Sequence, residues 1–112
     1  MKLPQADFAV VEISKLTDYC LNPDHLRGRH KARVFAGALG LTRDHAEQLR
    51  DALLEAARTD EAMPTDQDEY GQRYVVDFRM NGPAGQAKVR SSWIVRTGED
   101  FARLTSSYVI LK

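Results

Sequence analysis

A chain of 112 residues with 43% hydrophobic and 29% charged side chains has the composition of one folded domain, 1–112, which excludes a disordered chain. Cys20 is the one cysteine, so no internal disulfide is available, and one Cys with three His argues against a closed zinc site. The net charge is zero but segregated: residues 1–40 carry six basic and four acidic side chains (+2), residues 41–70 three and nine (−6), and residues 71–112 seven and three (+4). A neutral chain with that division can still offer an anion-binding surface.

In chain order, residues 10–13 form a candidate edge strand, and Ser14 is a fair N-cap for a short helix over about 14–21 with Leu16, Tyr19 and Cys20 on one side. Asn22-Pro23 stops it, and the stretch to Gly28 reads as an ordered turn. A second helix over about 29–39 carries the apolar stripe Ala32, Phe35, Ala36 and Leu39, with Gly40 placed to end it. Thr42 caps a third helix, about 42–58, whose inner side is Ala46, Leu49, Leu53 and Ala56 and whose outer side is charged. Residues 59–69, with Met63-Pro64 and five acidic side chains, read as an exposed connection.

From Tyr70 the period changes to two, and strands at about 72–80, 86–96 and 101–111 are separated by hairpin-like sequences at 81–85 and 97–100. The fold class is therefore α+β, with N-terminal helices packed on a three- to four-stranded antiparallel meander. Alternation divides the sheet into two faces. Tyr74, Val76, Phe78, Met80, Ala87, Val89, Trp93, Val95, Leu104, Tyr108 and Ile110 are the expected core face, subject to any bulge. The opposite face carries Arg73, Arg79, Lys88, Arg90, Ser92, Arg96, Arg103, Thr105 and Ser107, relieved by Val75, Asp77 and Ile94. A solvated sheet surface is the commoner reading of such a face; the functional one is that clustered arginines and hydroxyls bind the phosphates of RNA or DNA, with Arg29, Arg73, Arg79, Lys88, Arg90 and Arg96 as the nucleic-acid-binding set.

A second cluster, His25-Leu26-Arg27-Gly28-Arg29-His30-Lys31, puts two imidazoles and several cations at the mouth of a helix. RNA cleavage without a metal needs a base for the 2′-hydroxyl proton, an acid for the leaving oxygen and cations for the charge on the phosphate. A loop histidine such as His25 more often hydrogen-bonds its own turn, and His45, in the first turn of an amphipathic helix, reads as structural. Cys20, between Tyr19 and Leu21, is most simply a small core residue. No glycine-rich phosphate loop, Gly-x-Ser-x-Gly elbow, His-Glu-x-x-His or Cys-x-x-Cys pattern occurs. The apolar runs fall far short of the roughly 18 residues that cross a bilayer. With no charged-then-apolar leader at its start, a cytoplasmic protein with no cofactor and no membrane partner is expected.

The segments Leu21-Asn22-Pro23-Asp24-His25, Gly28-Arg29-His30-Lys31-Ala32, Tyr70-Gly71-Gln72-Arg73-Tyr74, Ser92-Trp93-Ile94-Val95 and Arg103-Leu104-Thr105-Ser106-Ser107-Tyr108-Val109 resemble a bacterial family. It is an uncharacterised-domain family with an opening Asn-Pro-x-His-Pro-x-Gly-x-x-Lys-Ala and a last strand Arg-Leu-Thr-x-x-Tyr. The resemblance covers about residues 12–110. Members of that family stand alone beside another small protein or form the C-terminal modules of polymorphic toxins, which implies a toxin-like effector with a small cognate antitoxin or immunity protein. The element order is similar to the barnase, EndoU, colicin and RelE group of ribonuclease folds.

The family motif falls on His25, Gly28, Lys31, Trp93, Arg103, Thr105 and Tyr108, with His30 inside it, while Leu26 and Ala102 stand where the family commonly has proline. The resemblance implies a metal-independent endoribonuclease with catalytic residues His25, His30, Lys31, Arg103, Thr105 and Tyr108. Its rival is a non-enzymatic binding module, or one half of a toxin–antitoxin pair, that docks an acidic protein or nucleic acid on the basic sheet face. A third reading, a structural protomer of a larger assembly, predicts an apolar exposed sheet face instead.

Overall fold

The computed structural model describes residues 1–111. A 3-10 turn at Ala6–Phe8 precedes helix α1, which is α-helical over Ile13–Lys15 and π-helical over Leu16–Cys20. Helix α2 spans Arg29–Leu39, and a 3-10 turn at Arg43–His45 leads into α3 at Ala46–Thr59. Four strands follow: β1 Ala62–Asp68, β2 Gly71–Gly82, β3 Gly85–Arg96 and β4 Arg103–Ile110, in one antiparallel sheet of order β1-β2-β3-β4. The α+β class and the helices-then-meander order are as the sequence predicts.

Capping chemistry sets the helix ends. Helix α2 stops at Gly40, whose φ of 72° is the left-handed conformation that glycine adopts without strain. Thr42 begins the next element, its backbone N–H donating to His45 Nδ1 at 3.0 Å, so His45 is a capping residue. Ser14 is not a cap; it lies inside α1, whose N-cap position is Glu12.

One face of the sheet meets the helices: α2 packs on β3 and β4, and α3 on β2. Trp93 and Phe35 are fully buried at this interface with Leu39, Leu49, Leu53, Val76, Val89 and Leu104, each such side chain contributing about 1.5–3 kcal/mol through removal from water. Cys20 is buried among them. The two buried serines of that layer are satisfied: Ser91 Oγ donates to the Val76 carbonyl at 2.7 Å and accepts from Trp93 Nε1 at 2.8 Å, and Ser107 Oγ donates to Cys20 Sγ at 3.5 Å.

Three expectations are corrected. Residues 59–69 are not a plain connection, because Ala62–Asp68 pair with β2 as an edge strand; six of its seven side chains are exposed, so no alternation marks it. Residues 10–13 do not make an edge strand. Val10 alone bridges to Arg103, while the backbone from Ile13 turns into α1.

The third correction concerns β4. Ser92 pairs with Ser106 and Trp93 with Leu104, which leaves Thr105 as an extra, unpaired residue, a β-bulge. Leu104 faces the core as expected, but beyond the bulge the parity inverts. Ser107 and Val109 are buried opposite Ser91 and Val89, while Tyr108 and Ile110 turn to the outer face opposite Arg90 and Lys88. The extra residue also takes Thr105 out of the regular alternation.

Candidate functional site

The loop between α1 and α2 is built by short-range hydrogen bonds. Asn22 Oδ1 accepts from the Asp24 N–H at 2.9 Å, an Asx turn that carries the chain past Pro23. His25 Nδ1 accepts from the Arg27 and Gly28 N–H groups at 3.0 and 2.9 Å, so the imidazole holds its own proton on Nε2. Gly28 is buried against the α1 backbone: a Cβ there would lie 2.4 Å from the Tyr19 carbonyl oxygen. Only glycine lets the loop come this close to Tyr19. The His25 ring then meets the Tyr19 ring edge-to-face, centroids 4.8 Å apart.

Lys31, in the first turn of α2, is the centre of the arrangement. Its Nζ donates to Tyr19 Oη at 2.9 Å and to Ser106 Oγ at 3.1 Å, and lies 5.6 Å from the centroid of the Tyr108 ring. Lys31 is half-buried and makes no salt bridge among the described residues. A half-buried ammonium surrounded by neutral hydroxyls has its charge uncompensated, which favours an incoming anion.

Two depressions flank Lys31. One, about 530 Å³, is lined by Ser14, Lys15, Asp18, Tyr19, His25 and Thr105; the other, about 200 Å³, by His30, Lys31, Val34, Tyr108 and Val109. Tyr19 is in the wall of the first and in contact with Lys31 of the second. Thr105 is held there by its hydroxyl, which donates to the Ser92 carbonyl at 3.1 Å.

The outer sheet face is basic in composition, and three of its six cations are compensated by a carboxylate. Arg90 donates from Nε and Nη2 to both Asp77 oxygens, at 2.9 and 2.8 Å. These hydrogen bonds hold the Asp77 carboxyl below the usual carboxylate range and raise the Arg90 guanidinium, with Tyr108 second among its causes. Arg73 pairs with Asp68 at 3.4 Å. Arg103 forms a two-pronged pair with Glu99, both contacts 3.0 Å, and sits 5.0 Å from the Phe101 ring centroid; the pairing depresses Glu99 and raises Arg103. Arg79 and Lys88, cross-strand neighbours, and Arg96 make no ion pair among the described residues.

Of the six predicted catalytic residues, His25 and Thr105 share one depression, and His30, Lys31 and Tyr108 the other, whereas Arg103 lines neither and is closed on Glu99. Trp93, part of the motif, is a core residue. Arg29 is exposed at the start of α2. Sequence reasoning missed Tyr19, Ser106 and Lys15. Tyr19 was placed on the apolar side of its helix; the signal that could have redirected it is its spacing from Lys31 across a loop whose turn chemistry folds it back. Among the described residues no group of three or more His, Cys, Asp or Glu is placed to hold a metal ion, and no helix is long and apolar enough to cross a membrane.

No curated protein matches the chain. Among solved structures, a chain of the contact-dependent growth inhibition toxin–immunity protein complex from Klebsiella pneumoniae 342 has a similar fold, with a TM-score of 0.71 and 18% identity over 90% of this chain and 99% of that one. A family model matches residues 2–111, nearly the whole length, and the chain therefore belongs to DUF6883, a domain family of unknown function.

Proposed function

We propose that this chain is the toxin component of a bacterial growth-inhibition system and cleaves RNA by metal-independent transesterification in the Lys31 site. The observation that carries this reading is Lys31 itself, a half-buried cation held by two hydroxyls and no carboxylate. Its fold likeness to a chain from a toxin–immunity complex supports the setting, and a cognate immunity protein is the corresponding partner.

In the reaction, the 2′-hydroxyl oxygen attacks phosphorus, its proton passing to a base, and the bond to the 5′-oxygen breaks. Lys31 and the Nε2–H of His25 would bind the non-bridging oxygens and stabilise the charge that builds on them. His30, exposed beside Lys31 and Tyr108, is the candidate base. Thr105 and Tyr108 position the phosphate from the two depressions, and Arg103 would join them only on leaving Glu99.

The test is expression in bacteria together with incubation of purified protein with total RNA in excess EDTA. Wild type is expected to arrest growth and cut RNA, and Lys31→Met to lose about 10²–10³ in cleavage rate while keeping its thermal midpoint. Intact RNA with the wild-type protein sinks the reading. The second reading, a binding module for an acidic protein or nucleic acid, is favoured by Arg79 and Lys88, which face each other across β2 and β3 and make no salt bridge among the described residues. It stands if Lys31→Met retains full biological effect and the double Arg79→Glu, Lys88→Glu variant loses it.

A further inference from the structure

Lys31 has a consequence for its two hydroxyl partners. A charged ammonium has three N–H donors and no lone pair, so in both of its hydrogen bonds the hydroxyl oxygen is the acceptor. The hydroxyl proton of Tyr19 is therefore directed elsewhere, and it finds no acceptor among the described residues. A phenol whose oxygen is bonded to an ammonium and whose proton is free is arranged to give that proton away. The phenolate left behind stays in contact with the positive charge.

Its surroundings fit that task. Tyr19 lies in the wall of the depression lined by His25 and Thr105, is fixed edge-to-face by the His25 ring, and is locked from behind by Gly28, which admits no side chain. His25 cannot take the role in this arrangement. Its Nδ1 accepts two backbone N–H bonds, so releasing the Nε2 proton would leave an imidazolate.

On the ribonuclease reading above, we propose that Tyr19 is a catalytic residue, the general acid that protonates the leaving 5′-oxygen. As the new bond from O2′ to phosphorus forms and the bond from phosphorus to O5′ breaks, the phenol proton moves to O5′. The products are a 2′,3′-cyclic phosphate and a free 5′-hydroxyl, with Tyr19 left as phenolate against Lys31 and reprotonated from solvent. Lys31 thus has a second role beside phosphate binding.

A leaving group that needs no proton isolates this step. Uridine 3′-(p-nitrophenyl phosphate) expels a weakly basic phenolate, so losing the general acid should hardly slow its cleavage. For Tyr19→Phe, cleavage of an RNA oligonucleotide is expected to fall by about 10²–10⁴, with the p-nitrophenyl ester cleaved within about tenfold of the wild-type rate and the circular dichroism spectrum unchanged. Equal losses on both substrates would make Tyr19 a positioning residue and overturn the proposal, as would undiminished RNA cleavage by the variant. If wild type cuts neither substrate, the ribonuclease reading falls and this inference with it, an outcome distinct from an active wild type with an indifferent Tyr19→Phe.

Discussion

The outer face of the sheet and the β4 edge carry similar side chains, cations interspersed with hydroxyls, and use them in opposite ways. On the sheet face Arg73, Arg90 and Arg103 each have a carboxylate, and the charges cancel locally. At the edge the hydrogen-bond partners of Lys31 among the described residues are the neutral hydroxyls of Tyr19 and Ser106. Counting basic residues in the sequence favours the sheet face; pairing them in space favours the edge. A charge already paired must lose its partner before it can bind another anion; the sheet-face cations left unpaired, Arg79, Lys88 and Arg96, are exposed, whereas Lys31 is half-buried beside two depressions.

The largest expected effect tests the layer both regions stand on. Trp93→Ala should lose about 3–5 kcal/mol through lost burial and cavity formation, measured as a lower urea midpoint; a loss below about 1 kcal/mol would mean that the sheet is not organised around this side chain. Next, Gly28→Val drives a side chain towards the Tyr19 carbonyl and should cost about 1–3 kcal/mol by overpacking. Because it also displaces Tyr19, RNA cleavage by the folded fraction should fall further than stability does. Equal activity per folded molecule would separate the loop from the site.

Smaller effects belong to the compensated face. Asp77→Asn breaks the two-pronged contact with Arg90, a pair partly open to solvent, and should cost about 1 kcal/mol at neutral pH. Asp77 has its folded-state pKa depressed by the Arg90 hydrogen bonds, so its contribution is present above the ordinary carboxylate value of about 4 and is lost as pH falls through the folded value. Wild type and variant should therefore converge in acid; a constant difference down to about pH 2 would contradict the assignment. The smallest effect on stability, within about 0.5 kcal/mol, is expected for Arg79→Glu with Lys88→Glu. If these residues touch RNA, the salt dependence of binding should flatten by about one unit of slope per lost contact.

The helices and strands β2, β3 and β4 were legible because period and turn residues agree there. Phe35, Leu49 and Leu53 follow the helical stripe, and Tyr74, Val76, Phe78 and Met80 the alternation of β2, all buried as read. β1 was hidden because an edge strand with exposed side chains has no apolar face to announce it. The site was half legible. His25, Gly28 and Lys31 were found as a cluster, but only pairing in space shows that His25 and Gly28 shape the loop while Lys31 faces the opening. Tyr19 was invisible for a physical reason: its ring packs as an apolar stripe residue would, and its function lies in one oxygen atom.

Thr105 divides β4 into two stretches that answer to different demands. Before it, the strand keeps time with Trp93; after it, every odd residue is structural and every even one available to solvent. Pairing that single threonine with Ser92, as in an unbulged strand, would act on the folded strand as a frameshift acts on a message, returning Tyr108 to the core and exposing Ser107 and Val109, whereas deleting it would leave every other pair in place. The position of the bulge, more than the amino acids that follow it, decides which side of the molecule they serve.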